Sequence, residues 1–175
     1  MRVLAPQVRV AGVDDAQAIA QVQVATWQHT YRGILPPAFL ESLDVERSAE
    51  SWQAVIGDKR RTTLVVDVQG VVGFCTAGPS RGEHSGYRGE VEAIYILPAE
   101  QGRGHGTALI RAAMRWLSER DLEPVVVWAL EANAAAHGFY ESLGARRLDT
   151  RLLRIASALY PEVGFGWPSG AFSGR

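Results

Sequence analysis

The segment that decides the fold runs from Gly89 to Thr107 and reads GEVEAIYILPAEQGRGHGT. Its first part, Glu90 to Leu97, is rich in β-branched and aromatic residues and predicts a strand that Pro98 ends. Its last part places three glycines between Gly102 and Gly106, and a helical pattern follows. A loop stripped of side chains lets backbone N–H groups converge on one anion, and the positive end of the helix dipole adds to the attraction. The segment therefore predicts a diphosphate-binding turn.

Two well-known phosphate loops do not fit this segment. The P-loop needs a lysine and then a serine or threonine after its last glycine, but Gly106 is followed directly by Thr107. The dinucleotide fingerprint G-x-G-x-x-G would need its third glycine at Thr107 or at Leu109. That fingerprint also belongs to the first strand–helix turn of a parallel unit, whereas four predicted strands lead up to this loop.

The chain before this segment predicts a strand, several helices and a hairpin. Asp14 and Asp15 are natural helix caps. The helix after them has an apolar stripe of Ala20, Val24, Trp27 and Tyr31. A short strand at Val8–Val10 precedes this helix, and Gly33 and Pro36-Pro37 end it. Helical stretches follow around Phe39-Leu40 and over Val45–Ile56. Two strands come next, Thr62–Val68 and Val71–Ala77, joined by a tight turn at Gln69-Gly70 and followed by a polar loop over Pro79–Arg88.

The chain after the glycine loop alternates helices and strands. The helix from Gly104 to Glu119 carries the apolar stripe Ile110, Ala113, Met114 and Leu117. The later elements are a strand at Val125–Ala129, a helix capped by Asn133 with core face Ala136, Phe139, Tyr140 and Leu143, a stop at Gly144, and short strands at Ala145–Leu148 and Val163–Trp167. This order predicts an α+β or three-layer sheet architecture.

Composition narrows the class of protein. The 175 residues are expected to form one domain, residues 1–175, and 47% hydrophobic residues are typical of a folded soluble chain. A net charge of −1 without a basic run argues against nucleic-acid or membrane partners. The single cysteine, Cys75, excludes an internal disulfide and a multi-cysteine metal site, and its apolar surroundings predict a core residue. We expect a cytoplasmic protein without a bound metal.

Two motifs in the chain resemble those of the GNAT N-acetyltransferase superfamily. The strand ending near Pro98, followed by Gln101-Gly102-Arg103-Gly104-His105-Gly106, is similar to that family's acetyl-CoA motif, Gln/Arg-x-x-Gly-x-Gly. A second likeness, at the family's spacing, runs from Asn133 to Ala136 and from Phe139 to Ala145, and the segment from Trp27 to Pro36 resembles one branch of the family. The resemblance covers Val8 to about Leu148. It implies a three-layer α/β/α fold with a mixed, mostly antiparallel central sheet, splayed at the acyl-CoA site and flanked by helices.

The resemblance also implies which residues bind acetyl-CoA. The backbone of Ile94 and Ile96 is expected to pair with the pantetheine arm, and the loop up to Thr107 to hold the diphosphate. Arg103 is expected either to reach a phosphate or to be solvated, and His105 to be a surface residue that acts through its backbone. The implied cofactor-binding residues are Ile94, Tyr95, Ile96, Gln101, Gly102, Arg103, Gly104, His105, Gly106, Thr107, Asn133 and Tyr140.

Three residues are candidates for catalysis. Asn133 and Tyr140 lie seven residues apart, on nearly one helix face about 10 Å apart along the axis. The resemblance places Tyr140 beside the thioester sulfur, where a hydroxyl of pKa about 10 can protonate the departing thiolate, although a core role is the alternative. Glu90 and Glu92 share one face of their strand, and either could deprotonate the attacking amine, unless it is only a solvated or ion-paired residue. His29 is the reserve base.

The acceptor cannot be named from the sequence. The first helix and the loop after it line the acceptor pocket in the family, so Trp27 and Tyr31 are candidate substrate-binding residues, with core packing as the alternative. The resemblance implies an enzyme that transfers acetyl directly to a primary amine of a small molecule or peptide, and leaves a homodimer open. The competing functions are a non-catalytic acyl-CoA-binding regulatory module and, disfavoured by Thr107, a Rossmann-like nucleotide binder.

Overall fold

The computed structural model describes residues 7–82 and 86–173. Their regular elements are β1 (Gln7–Val10), α1 (Ala16–Thr30), α2 (Pro37–Glu41), α3 (Val45–Gly57), β2 (Thr62–Asp67), β3 (Val71–Pro79), β4 (Gly89–Ile96), α4 (His105–Ser118), β5 (Val125–Leu130), α5 (Ala134–Ser142), β6 (Arg146–Ile155) and β7 (Ala158–Trp167). The strands form one sheet of order β1-β2-β3-β4-β5-β7-β6, in which only β4 and β5 run parallel. No helix among the described residues is long and apolar enough to cross a bilayer.

Two apolar clusters cover the two faces of the sheet. On one face, the stripe of α4 packs on the sheet, and Ile110, Ala113 and Leu117 are fully buried as their spacing predicts. On the other face, Ile19 and Ala20 of α1 pack with α3 and with the inward side chains of β2 and β3. The predicted α+β, three-layer fold with a mostly antiparallel sheet is confirmed. Cys75 lies in the core, and burial strongly raises the pKa of its thiol.

A third, smaller cluster ties the end of α1 to the last hairpin. Tyr31, Leu35 and Leu40 pack with Leu130 of β5 and Ile155 of β6. Because this cluster joins the first 40 residues to the last strands, it closes one end of the space between α1 and the sheet.

The last hairpin is longer than the sequence indicates. We expected short strands at Ala145–Leu148 and Val163–Trp167, but β6 and β7 have ten residues each. Most of β6 is exposed, so it lacks the apolar alternation that reveals a strand. Pro161 argues against a strand because proline has no backbone N–H to donate. It is tolerated in β7 because the pairing of β7 with β5 ends at the neighbouring Glu162.

Two helix boundaries also differ from expectation. Asp14 and Asp15 belong to a 3₁₀ turn before α1, and Asp15 accepts from the Gly12 N–H and pairs with Arg9 instead of capping α1 with its side chain. Helix α1 ends at Thr30, and Pro37 begins α2, because proline suits the first turn of a helix.

Candidate active site

The sheet opens between β4 and β5. The two strands pair only where Gly89–Val91 meets Val125–Val127, although both continue for several residues. The separated halves border a cavity of about 500 Å³ whose walls include α1 from one layer and α4 and α5 from the other. A molecule in this cavity can therefore be contacted from both faces of the sheet.

A β-bulge at Glu92 decides which side chains of β4 face which layer. Val91 pairs with Ala77 and Ala93 with the adjacent Thr76, so Glu92 is the extra residue. Val91 packs in the α4 cluster, whereas Ala93 packs in the α1 cluster. The bulge therefore reverses the alternation along the strand.

The reversal separates the two glutamates from the two isoleucines of β4. Glu90 precedes Val91 on the strand and therefore faces the opposite layer, that of α1. Glu92 lies beside Glu90, since Arg81 contacts both carboxylates. Ile94 and Ile96 pack on the α4 side. Glu90 and Glu92 thus share one face of β4, as predicted. Simple alternation would put Ile94 and Ile96 on that same face, but the bulge puts them on the opposite one.

The backbone of β4 offers free hydrogen-bonding groups to the opening. Hydrogen-bonded and non-bonded positions alternate along an antiparallel pair. The Leu97 N–H donates to the Val72 carbonyl, so by alternation Ile94 and Ile96 direct their backbone groups away from β3, toward the gap left by β5. The Gln101 amide donates to the Ile96 carbonyl at 3.0 Å, which fixes the start of the glycine loop on this edge.

The glycines of the loop serve different purposes. Gly102 and Gly104 have φ values of +74° and +84°, a conformation that favours glycine, and Gly104 is the N-cap of α4. Gly106 is required for space, because a Cβ there would lie 3.0 Å from the Phe139 ring. The first N–H groups of α4 have no partner within the helix, and the residues that carry them line the cavity.

His105 is buried, contrary to the expectation of a surface residue. As the first residue of α4 it turns inward, and its ring is 5% exposed with Nε2 3.5 Å from the Glu100 carboxylate. Neither ring nitrogen makes a hydrogen bond to any residue in the described ranges. Arg103 is largely exposed and pairs with the same carboxylate at 3.3 Å. Glu100, which the sequence did not single out, thus joins two residues of the loop.

Glu90 and Glu92 differ in their surroundings. Glu90 is 2% exposed, accepts from the Arg81 backbone and guanidinium at 2.9 and 2.8 Å, and does not line the cavity. Glu92 lines the cavity, and its Oε2 lies 3.3 Å from Arg61 and 3.5 Å from Arg81. Its Oε1 is buried and has no hydrogen-bond partner in the described part of the chain. Burial raises the pKa of Glu92, the charges of Arg81 and Arg61 oppose that rise, and Glu90 adds to it.

Helix α5 brings Asn133 and Tyr140 to the opposite wall. Asn133 caps the helix by accepting from the Ala136 N–H, as predicted, and both residues line the cavity. Tyr140 packs against Phe139, Phe165 and Trp167, with ring centroids 5.5 to 6.0 Å away. Burial strongly raises the pKa of its hydroxyl, so the group stays protonated.

The aromatic residues of α1 occupy different positions. Tyr31 lines the cavity, and burial raises the pKa of its hydroxyl, an effect that the nearby Asn133 amide partly offsets. Trp27 packs behind Tyr31 with ring centroids 5.0 Å apart and does not line the cavity. His29 is exposed and lies outside the cavity wall.

Two arginines near the glutamates were missed by sequence reasoning. Arg61 precedes β2, and Arg81 lies in the loop that we described only as polar. No spacing signal in the sequence connects either of them with the glutamates of β4. In residues 7–82 and 86–173 no group of three or more histidine, cysteine or acidic residues could hold a metal ion.

The opening in the sheet thus joins the free backbone N–H groups at the start of α4 to Glu92 and Tyr140. The model of the acetyltransferase (GNAT) family matches residues 24–145. The chain is 34% identical over 162 residues to the uncharacterized N-acetyltransferase YuaI of Bacillus subtilis (strain 168), with 92% of each protein covered. It is 31% identical over 147 residues to the mycothiol acetyltransferase of Paenarthrobacter aurescens (strain TC1), covering 82% of this chain and 43% of that protein.

A solved structure shows the same fold. YncA from Salmonella typhimurium, solved with its cofactor acetyl-CoA, superposes with a TM-score of 0.68 at 20% identity over 98% of this chain and 96% of that chain. The chain therefore belongs to the GNAT family of acetyltransferases, which confirms the resemblance noted in its motifs. N-acetyltransferase activity with acetyl-CoA as the acyl donor follows from that membership.

Proposed function

We propose that this N-acetyltransferase moves the acetyl group directly from acetyl-CoA to a primary amine of a small molecule or peptide while both substrates are bound. The observation that carries the proposal is the single cavity through the sheet. It connects the glycine loop at α4 with Glu92 and Tyr31 on the α1 side, and Tyr140 lies in its wall. Donor and acceptor can therefore meet without a covalent enzyme intermediate.

The residues at the α4 end fit a coenzyme A thioester. The free N–H groups at the start of α4 suit a diphosphate. The unpaired edge of β4 at Ile94 and Ile96 suits the amide groups of pantetheine, which would add to the sheet like a short strand. When bound, acetyl-CoA supplies an acetyl group whose carbonyl carbon the amine attacks, and the CoA thiol leaves.

Tyr140 is proposed as the general acid. It lies in the cavity wall, and its raised pKa keeps the proton on the hydroxyl until a thiolate forms beside it. Because burial raises the pKa of Tyr140 above that of a thiol, about 8.5, the proton transfer is uphill, and it requires the hydroxyl to lie within hydrogen-bond distance of the sulfur as the thiolate forms. No protein group among the described residues accepts a hydrogen bond from this hydroxyl, so it is free to donate.

Glu92 is proposed as the general base. An amine of pKa about 10.4 arrives protonated at neutral pH and must lose a proton before it attacks. Glu92 has a raised pKa and an unpartnered oxygen, so it can accept that proton directly or through a water molecule. Glu90 is assigned a positioning role, because it holds Arg81 while lying outside the cavity wall.

An amine panel assayed for free CoA thiol tests the proposal. We expect thiol release that depends on both acetyl-CoA and amine, with an acetylated product of matching mass. A reaction without amine is the control for simple thioester hydrolysis. Tight CoA binding without turnover on any amine would instead identify a non-catalytic acyl-CoA-binding module.

A further inference from the structure

Two guanidinium groups lie against residues that line the cavity, since Arg81 contacts Glu92 and Arg151 stacks on Trp128, and from their arrangement we infer that the acceptor carries a carboxylate close to its amine. The substrate class is that of free α-amino acids and similar small zwitterions. This inference rests on the proposed function, since it concerns the acceptor of that same site.

The first guanidinium, that of Arg151 on β6, is held in one orientation by two contacts. Its Nε donates to the carboxylate of Glu162, which is buried on β7. Its plane lies over the Trp128 ring, 3.9 Å from the ring centre. Trp128 lines the cavity and rests on Gly164, where a Cβ would lie 3.1 Å from the ring. The missing side chain at Gly164 therefore lets the indole form a flat support.

A buried ion pair is a poor device for stability, because the loss of hydration offsets most of the attraction. The pair of Arg151 and Glu162 does orient a guanidinium very well. Nε is occupied and one face is stacked, while the two terminal nitrogens, one of which lies near Gly82, have no hydrogen-bond partner within residues 7–82 and 86–173. The Arg151 side chain is 38% exposed. A fixed planar fork of this kind matches the two oxygens of a carboxylate.

The second guanidinium, that of Arg81, lies beside Glu92, which lines the cavity. It contacts Glu90 and Glu92 and is about half exposed. Burial alone would lower the pKa of Arg81, and Glu90, Glu92 and Glu162 together raise it above its usual value. Because the charge of Glu162 also acts on Tyr31, the Arg151 pair lies within electrostatic reach of the cavity wall.

The charges on this side match a zwitterion better than a simple amine. Glu90, Glu92 and Glu162 are each paired with an arginine, so the region has no excess negative charge to attract a dication. The unpartnered oxygen of Glu92 is available to the ammonium group, and the terminal N–H groups of Arg151, unpartnered among the described residues, are available to a carboxylate. Since Arg81 contacts Glu92, the two complementary groups are close enough for an amine and a carboxylate on one carbon.

Matched sets of acceptors test this inference on the unmodified enzyme. L-phenylalanine, its carboxamide and 2-phenylethylamine form one set, and L-methionine with its carboxamide another, each compared per unit of free amine. We expect kcat/KM to be about ten- to hundredfold higher for the carboxylate, the value of a charged hydrogen bond of about 1.5–3 kcal/mol. Equal or higher kcat/KM for the carboxamides and 2-phenylethylamine overturns the inference and leaves the proposed function intact, whereas no turnover with any amine overturns both.

Variants locate the preference. Arg151→Lys keeps the charge without the fork, and the double variant Arg151→Gln/Glu162→Gln removes the buried pair without leaving an unpaired charge. In both variants we expect the ratio of kcat/KM for the amino acid to that for its carboxamide to fall toward one, because KM for the amino acid rises. CoA affinity should be retained. Arg147→Gln is the matched control, because Arg147 is exposed on the same strand but pairs with Phe165, on the other face. An unchanged preference in folded Arg151 variants would remove Arg151 from the site.

Discussion

The two ends of the cavity are made of different parts of the chain. The donor end consists of backbone groups, namely the free edge of β4 and the glycine loop at the start of α4. The proposed acceptor end consists of side chains on separate elements, with Tyr31 and Glu92 in the cavity wall and Arg81 against Glu92. A backbone cradle depends on φ and ψ and tolerates changes of side chain, whereas a side-chain pocket changes specificity with each substitution. One family can therefore keep its donor and vary its acceptors.

The largest effect is expected where the two ends meet. Tyr140→Phe keeps the ring and its packing, so CoA affinity should be retained, but the proton donor is lost. General acids contribute about 10²–10⁴-fold, and water can substitute in part, so kcat should fall by about 10²–10³-fold. Steady-state kinetics and calorimetric CoA binding measure the two effects separately. A folded variant with the parental kcat would assign Tyr140 to the core alone.

A second comparison separates the two glutamates of β4. Glu92→Gln should lower kcat/KM about ten- to hundredfold at neutral pH. Because the Glu92 pKa is raised, the unmodified enzyme should gain activity as pH rises through that value, and the variant should lack this limb and recover only as free amine accumulates. Glu90→Gln is the matched variant. Its kcat/KM should fall less than that of Glu92→Gln, and its activity should depend on pH as it does in the parent. The reverse order of the two variants would make Glu90 the base.

The donor end should respond to backbone conformation. Gly104→Ala costs about 1–2 kcal/mol in the left-handed conformation, so the free loop should relax away from it, and restoring it on binding should lower CoA affinity about tenfold. Gly138→Ala on α5 is the control, because Gly138 has neither a positive φ nor atoms within 4 Å of a Cβ. It should bind CoA normally and gain about 0.5–1 kcal/mol in stability. Equal CoA affinity in both variants would argue against the diphosphate site.

The smallest effect concerns stability at the acceptor end. A raised Glu92 pKa means that the folded state binds its proton more tightly than the unfolded state does, so its stabilising contribution is present below about pH 4.3 and is lost as pH rises through the raised pKa. Glu92→Gln should therefore have a higher Tm than the parent at pH 7, and the difference should vanish near pH 4. Thermal melts at both pH values measure it, and a lower Tm at pH 7 would mean that the arginine contacts outweigh burial.

Local signals found most of the donor end and little of the acceptor end. The glycine loop, the cap at Asn133 and the position of Tyr140 on α5 were predicted because each depends on residues within about ten positions. Arg81 and Arg151 were missed because no local pattern relates an arginine in a polar loop, or on an exposed strand, to the glutamate that it meets only when the loop and the hairpin fold. His105 was misplaced because its position at the start of the predicted helix does not show that its side chain turns inward.

The sequence by itself determined the family, the order of the elements and the donor loop, because hydrophobic periodicity and glycine chemistry act over short distances along the chain. Tertiary structure alone decided how far β4 and β5 pair, and that the bulge at Glu92 turns the glutamates away from the face of Ile94 and Ile96. It also decided which arginine meets which carboxylate. Those features depend on the register between strands and on the packing of distant segments, which puts Glu92 in the cavity wall and Glu90 outside it.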